Sequence, residues 1–460
     1  MNPRLKQQGM TLIMLLFIVG LAATAYLVHA FNPVTVKIER DKKTAQALAE
    51  AKSLLVGYAI TPLGSRPGEL PCPDNTGDGN YDGTQDSPCA GVANRLGKLS
   101  WRSAAVVGLN ADLQDSTGER LWYAVSRNMV DALTMFNSDT AVNATYPWLS
   151  VYDAKGNLIS NKVAAAVVAP GSPIGGQSRV GVTPNAAQYL DKATLTCGPG
   201  PCAPIVRNNA SLASGFISAS DFRNVVQSDP TYQQPYEFND KLTFLTIDEL
   251  MPQVEMRVAR EVKNCLDEYA TASDGKYPWP ERTDGGAFGI GNPARWFGRL
   301  PVPPVFPNPP VSPNIETGAG PDPLMSAGWT PACTALFTSS YWPDWRDLVF
   351  YQVADNFAPG GVKNCAGGTC ISISGSGNPN PGSGNYRAVV IVAAKKILAQ
   401  ARVITTSASE YLEDDAAVSG FNNDHQAAYS HSFVTYKPST PPYAAANDLV
   451  LCLDGKNACK

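Results

Sequence analysis

The feature that most constrains this chain is that it repeats itself. EAKSLLVGYA (Glu50–Ala59) and EVKNCLDEYA (Glu261–Ala270) share Glu, Lys, Leu, Tyr and Ala without a gap. Further matches follow in the same order: LPCPD (Leu70–Asp74) with YPWPE (Tyr277–Glu281), LGKL (Leu96–Leu99) with FGRL (Phe297–Leu300), and LWYAVS (Leu121–Ser126) with VFYQVA (Val349–Ala354). Then come KVAAAVVA (Lys162–Ala169) with YRAVVIVA (Tyr386–Ala393), AAQYLD (Ala186–Asp191) with ASEYLED (Ala408–Asp414), and NDKLTFLT (Asn239–Thr246) with NDLVLCLD (Asn447–Asp454). Chance likeness among apolar strands would explain any one of these. Their shared order, at separations of about two hundred residues, points to an internal duplication. The expected modules span 34–247 and 248–460, each a helix, a loop-rich section and a small antiparallel sheet. The chain's 460 residues exceed what one core usually serves. Its 44% hydrophobic and 17% charged residues describe a folded protein.

Helix signals flank the modules. Residues 10–31 carry no charged side chain, and as a helix they would span about 33 Å, enough for a bilayer core. Arg4 and Lys6 precede the run, so its short end would face the cytoplasm. A secretory signal would instead end at a small-residue cleavage site, for which Ala23, Ala25 and Ala30 are candidates. After Asn32 and Pro33 the pattern continues, with Ala45, Leu48, Ala51, Leu55 and Tyr58 at helical steps. The expectation is one membrane and amphipathic element of around 50 residues, roughly 75 Å long. A second helix is expected from the stripe Met251, Val254, Val258, Val262, Cys265 and Tyr269.

The short basic leader ending in Gly9, followed by Met10-Thr11-Leu12-Ile13, resembles the N-terminus of type IV pilins and type II secretion pseudopilins. The resemblance covers about 50 of the 460 residues. It implies a leader of residues 1–9 cut after Gly9 by a prepilin peptidase, with Met10 then N-methylated. It implies a transmembrane helix over 10–33 that assembles into a filament core, with Pro33 near the place where such helices kink. It also implies an α+β fold: a long N-terminal membrane/amphipathic helix, then two tandem pilin-like modules with small antiparallel sheets and long loops. The partners would be other pilin or pseudopilin subunits, the prepilin peptidase and the inner membrane. The head would be periplasmic, or at the cell surface once assembled. The family usually has Glu where this chain has Met14. That Glu is thought to pair with a neighbouring subunit's amine, so its loss implies a minor subunit, similar to the K-type pseudopilin placed at a filament tip. The expected function is structural rather than enzymatic. A tip adhesin that binds a surface or glycan through its second module is the first alternative. A signal-anchored periplasmic enzyme is the other. A net charge of −4 without a long basic run disfavours nucleic acid as a direct ligand.

The ten cysteines fall as Cys72/Cys89, Cys197/Cys202, Cys265/Cys333, Cys365/Cys370 and Cys452/Cys459. Mostly close pairs around Gly/Pro-rich loops are expected to be disulfides in an oxidising compartment. Zinc knuckles are the competing reading, but the close pairs lack Cys-x-x-Cys spacing and the chain has three His. Within CPDNTGDGNYDGTQDSPC, Asp74, Thr76, Asp78, Asp82 and Asp86, with Gly79 and Gln85, approach the spacing of a calcium loop. Calcium is the one cofactor considered; the alternative is an Asp/Gly turn clamped by the flanking cysteines. GQSRVG (Gly176–Gly181) lacks nucleophile-elbow spacing, and GIGNPA (Gly289–Ala294) is broken by proline. His425 and His431 near Asp414, Asp415 and Asp424 read as a metal group or, more simply, a polar surface loop. The loops 300–323 and 374–385 are either binding elements or solvated insertions.

Overall fold

A computed structural model describes residues 12–22, 24, 33–61, 66–75, 81–102, 111–130, 136–139, 144–153, 156–174, 177–179, 185–195, 205–218, 238–281, 283, 296–301, 330–375, 385–397, 400–403, 406–412, 423–425, 431–435 and 447–454. Residues 12–22 form a first helix, α1. At 1.5 Å per residue these described residues span about 16 Å, roughly half a bilayer core. A separate helix, α2, runs from Pro33 to Ile60. Proline has no N–H and biases the residue before it away from helical backbone, so Pro33 opens a helix. Lys37, Glu39, Arg40, Asp41, Lys42 and Lys43 then end the apolar character. Among the described residues no helix is long and apolar enough to cross a membrane. The expected continuous membrane/amphipathic element, including the span 10–33, is therefore corrected to a short helix followed by a charged one.

The first turns of α2 are exposed, and its buried stripe begins at Thr44 and continues through Ala47, Leu48, Ala51, Leu55, Tyr58 and Ala59. Ala45, assigned to this face from the sequence, is exposed. Helix α3 (Ile247–Ala272) buries its whole expected stripe from Met251 to Tyr269. Its start is set by a capping box: the Thr246 hydroxyl accepts from Glu249 N, and the Glu249 carboxylate accepts from Thr246 N at 3.0 Å.

The first large sheet contains β1 (Leu96–Lys98), β2 (Trp122–Val125), β3 (Leu149–Asp153), β4 (Leu158–Ala169), β7 (Phe216–Ser218) and β8 (Lys241–Thr246). A hairpin of β5 (Lys192–Leu195) and β6 (Ile205–Asn208) stands apart. The second large sheet contains β9 (Phe297–Arg299), β10 (Val349–Val353), β12 (Ala388–Val392) and β14 (Leu449–Leu453). The hydrogen-bonded order β1-β2-β4-β8 in one is the order β9-β10-β12-β14 in the other, all antiparallel. Outside this common set, β3 pairs in parallel with β7, and β11 (Ser372–Gly375) in parallel with β13 (Ser432–Thr435). The expectation of small antiparallel sheets is corrected by these two parallel pairs.

The registers also correspond. Tyr123 lies opposite Gly97 and Val167, and Tyr351 lies opposite Gly298 and Val390. Val167 thus takes the place of Val390, whereas the letter-by-letter match sets it against Ile391. A one-residue slip turns every side chain to the opposite face, so hydrogen bonding decides this alignment where similarity of apolar letters cannot. Gly97 and Gly298 serve close approach: a Cβ would lie 2.4 Å from Asp74 O in one half and 2.0 Å from Glu281 O in the other. Each glycine lets a bridge form at the sheet edge, Asp74 to Lys98 and Glu281 to Arg299.

One continuous core joins the halves. It includes Leu55 and Ala59 of α2, Val258 and Leu266 of α3, Tyr123 and Val167 of the first sheet, and Tyr351 and Val390 of the second. Polar links cross between the halves as well. Asn137 Nδ2 donates to Asp344 O at 2.7 Å, Ser138 Oγ to Glu255 Oε1 at 2.8 Å, and Arg402 pairs with Asp139 at 2.6 Å.

Disulfides join Cys72–Cys89, Cys265–Cys333 and Cys365–Cys370. The second of these ties α3 to a short helix, α4 (Pro331–Thr338). Cys452 is also disulfide-bonded. Cys197, Cys202 and Cys459 lie outside the described residues.

Candidate functional site

The segment Leu70–Asp74 is held at the edge of the first sheet by reciprocal bonds, Asp74 N to Lys98 O at 3.0 Å and Lys98 N to Asp74 O at 2.7 Å. This fixes the Asp74 carboxyl beneath the loop closed by Cys72–Cys89. Its Oδ2 accepts from Gly83 N at 2.7 Å, while Oδ1 is buried without a hydrogen bond. Burial pushes the Asp74 carboxyl up to about 7; the Gly83 N–H opposes this, and the charges of Asp86 and Asp82 add to it. Asp86 Oδ2 accepts from Asn75 N at 2.7 Å. Asp82 faces solvent and turns into its own turn, Oδ1 accepting from Thr84 N at 2.8 Å and Thr84 Oγ1 at 2.6 Å. Gln85 Oε1 accepts from Cys72 N at 3.1 Å, which makes Gln85 a brace of the loop.

Thr76, Asp78 and Gly79, the middle of the expected calcium set, lie outside the described residues, as do Gly9 and Met10. Among the described residues no group of three or more His, Cys, Asp or Glu is arranged to hold a metal ion. Asp86 and Asp82 are thus both within electrostatic reach of Asp74, while Asp82 Oδ1 is taken up by its own turn. Met14 lies on α1 with its side chain 68% exposed, and Pro33 starts α2.

His425 contradicts the surface-loop reading made from its sequence. It is fully buried, its Nδ1 lies 2.7 Å from Gln352 Oε1, and its ring sits 4.2 Å from that of Phe433. His431 Nε2 lies 3.0 Å from Asp355. Asp414 and Asp415 lie outside the described residues.

Sequence reasoning missed a buried cation cage that occurs in both halves. Lys98 Nζ stands 4.1 Å from the Tyr189 ring centroid and 4.6 Å from that of Trp122. Arg299 stands over Tyr411 at 4.9 Å and Phe350 at 3.9 Å. Burial lowers Lys98 to about 8 and Arg299 to about 10. The aromatic faces offset part of the lost hydration of each cation. Beside each cage lies a Gln-x-Arg brace, Gln177 with Arg179 and Gln400 with Arg402. Arg179 Nη2 donates to Gln177 Oε1 at 3.1 Å and Arg402 Nη2 to Gln400 Oε1 at 3.4 Å. The signal for this was available: QSRV and QARV are a further repeat, and GQSRVG was read only for a nucleophile.

A buried carboxyl pair, Asp191 and Asp240, was also missed. Asp191 N donates to Asp240 Oδ2 at 2.8 Å and Asp240 N to Asp191 Oδ2 at 2.9 Å. Burial raises both carboxyls, and for Asp240 the charge of Asp191 adds to the effect. These bonds tie the start of β5 to the start of β8.

Comparison of the chain with protein-family models, curated proteins and solved structures returned no match.

Proposed function

We propose that the protein is a minor structural subunit of a filament of the type IV pilus or pseudopilus kind, with a head made of two like halves displayed outside the cytoplasm. The observation that carries this reading is α1. Leu12, Ile13, Met14, Leu15, Leu16, Phe17, Ile18, Val19 and Leu21 are each at least 57% exposed, so apolar side chains surround the helix. A helix apolar all round is covered by other apolar surface in its working state. Neighbouring subunits of a filament supply that surface. The leader ending at Gly9, the step to Met10 and the disulfides of the head support the same reading. Met14 gives a neighbour no carboxylate to pair with, which suits a rare subunit rather than the repeating one.

The test is the N-terminus of the protein recovered from isolated filaments. Mass spectrometry is expected to find a chain that starts at methylated Met10. An uncut Met1, or absence from the filament fraction, overturns the proposal.

Calcium at the Cys72–Cys89 loop is a second proposal, supported by the buried Asp74 Oδ1 that lacks a hydrogen bond. Calcium is expected to raise the melting temperature of the wild type. A rise of the same size in Asp78→Ala removes this proposal.

A further inference from the structure

β3 and β4 pair across an irregular register: Leu149 faces Val163, while Val151 faces Ser160. Asn161 and Lys162 lie opposite the single Ser150 in the resulting bulge. Bulges of this kind re-aim side chains, and here Asn161 and Lys162 line a hollow of about 440 Å³ together with Thr145, Tyr146, Pro147 and Trp148. The opposite wall is firmly held. Asn128, fully buried, donates from Nδ2 to Tyr146 O at 2.8 Å and accepts at Oδ1 from Tyr146 N at 3.0 Å. Arg127 lies 5.2 Å from the Tyr146 ring centroid, and Trp148 packs partly on the core. Positive charge is in excess nearby. Lys162 and Lys395 share the single carboxylate of Asp248, at 3.8 and 3.2 Å, and Arg127 stands behind Tyr146.

The other half shows that the fold does not require this arrangement. Ile371 pairs with Tyr386 as Leu149 pairs with Val163. There the preceding residue is Cys370, joined to Cys365, in place of Trp148. Asn356 takes the part of Asn128 but donates at 2.8 Å to Thr369 Oγ1 of the disulfide loop.

We infer that the Tyr146–Trp148 hollow is a binding site for an acidic sugar, a hexuronate unit of a surface polysaccharide. The apolar face of a pyranose ring rests on the aromatic wall. Its carboxylate meets Lys162 and its hydroxyls meet the Asn161 amide. Rigid aromatic walls with a few fixed polar groups are the usual make-up of small-ligand sites, and a charge-assisted bond gives acid over neutral selectivity. This goes beyond the filament reading and does not rest on it.

The experiment titrates the purified full chain with trigalacturonate and with neutral cellotriose, followed by calorimetry and by tryptophan fluorescence. Saturable binding of the acidic trimer is expected, with the neutral trimer at least about tenfold weaker. Lys162→Gln is expected to weaken the acidic trimer by about tenfold and to erase the preference, with its melting temperature unchanged. Asn161→Ala, a second variant on the same wall, is expected to weaken both sugars and serves if Lys162→Gln melts early. No saturable binding, equal binding of the two trimers, or variants that bind like the wild type overturns the inference.

Discussion

The wall beside Trp148 and the loop ending at Cys370 occupy matching places in two halves built on one strand order, yet they are finished in opposite ways. One half leaves a hollow with an aromatic wall and bulged polar residues; the other closes a short loop with a disulfide. Where the halves agree, the agreeing residues bear on packing: Tyr123 and Tyr351, Gly97 and Gly298, Lys98 and Arg299. Tyr123 Oη donates to Pro71 O at 3.0 Å and Tyr351 Oη to Pro278 O at 3.1 Å, the same brace made twice. A duplicated fold therefore separates, within one chain, the residues needed to fold from those free to specialise.

The largest expected effect probes the second half's own clamp. Cys265–Cys333 spans 68 residues and Cys365–Cys370 spans 5, so the chain-entropy gain differs. Replacing both cysteines of the long pair by Ala is expected to cost about 4 kcal/mol and the short pair about 2 kcal/mol, measured by urea unfolding. Equal losses would mean that the long clamp stabilises only locally.

Next comes the shared glycine. Gly97→Ala and Gly298→Ala each drive a methyl group into a backbone carbonyl, and each is expected to cost about 3 kcal/mol in the same assay. If one variant is nearly neutral, the edge bridges of the two halves are not mechanically equivalent.

A smaller effect sharpens the contrast at the paired edge residues Asp74 and Glu281. The folded Asp74 carboxyl titrates near 7, above the ordinary aspartate range, so the folded state holds the proton more tightly than the unfolded chain. Stability is expected to fall as pH rises from about 4 to about 7 and then to level off. Asp74→Asn is expected to flatten part of that slope in melts taken across this range. Glu255, also pushed up to about 7 by burial, and the raised carboxyls of Asp191 and Asp240 keep the remainder. An unchanged slope in Asp74→Asn would place the buried carboxyl's proton elsewhere.

The smallest effect concerns the seam between the halves. Lys52 and Glu249 pair at 2.9 Å with both side chains partly exposed. Glu249→Gln is expected to cost about 0.5 kcal/mol, and less in high salt. A much larger loss would show that the seam, rather than each half's packing, limits stability.

Much of the architecture was readable from local pattern. The stripe from Met251 to Tyr269 specified α3 and its buried face, and the spacing of Cys72/Cys89 and Cys365/Cys370 specified local clamps. The repeated segments fall on β1, β2, β9 and β10, strands whose residues are nearly all buried. Other points were not readable. The apolar run over 10–31 suggested one long helix because hydropathy is blind to where a proline restarts the backbone. The parallel pairs β3/β7 and β11/β13 left no mark, since period-two alternation does not encode a partner's direction. His425 reads as polar in the sequence, and its burial depends on Gln352 and Phe433 reaching it from other strands.

The sequence alone determined the repeated elements, their order and the buried stripe of α3, because periodicity and close cysteine pairs act over a few residues. Only the tertiary structure decided the one-residue register of β4, the bulge that turns Asn161 and Lys162 into the hollow, and the cages around Lys98 and Arg299. Those depend on hydrogen bonds and ring contacts between segments far apart in the chain, and composition along a single segment carries no information about which distant segment it will meet.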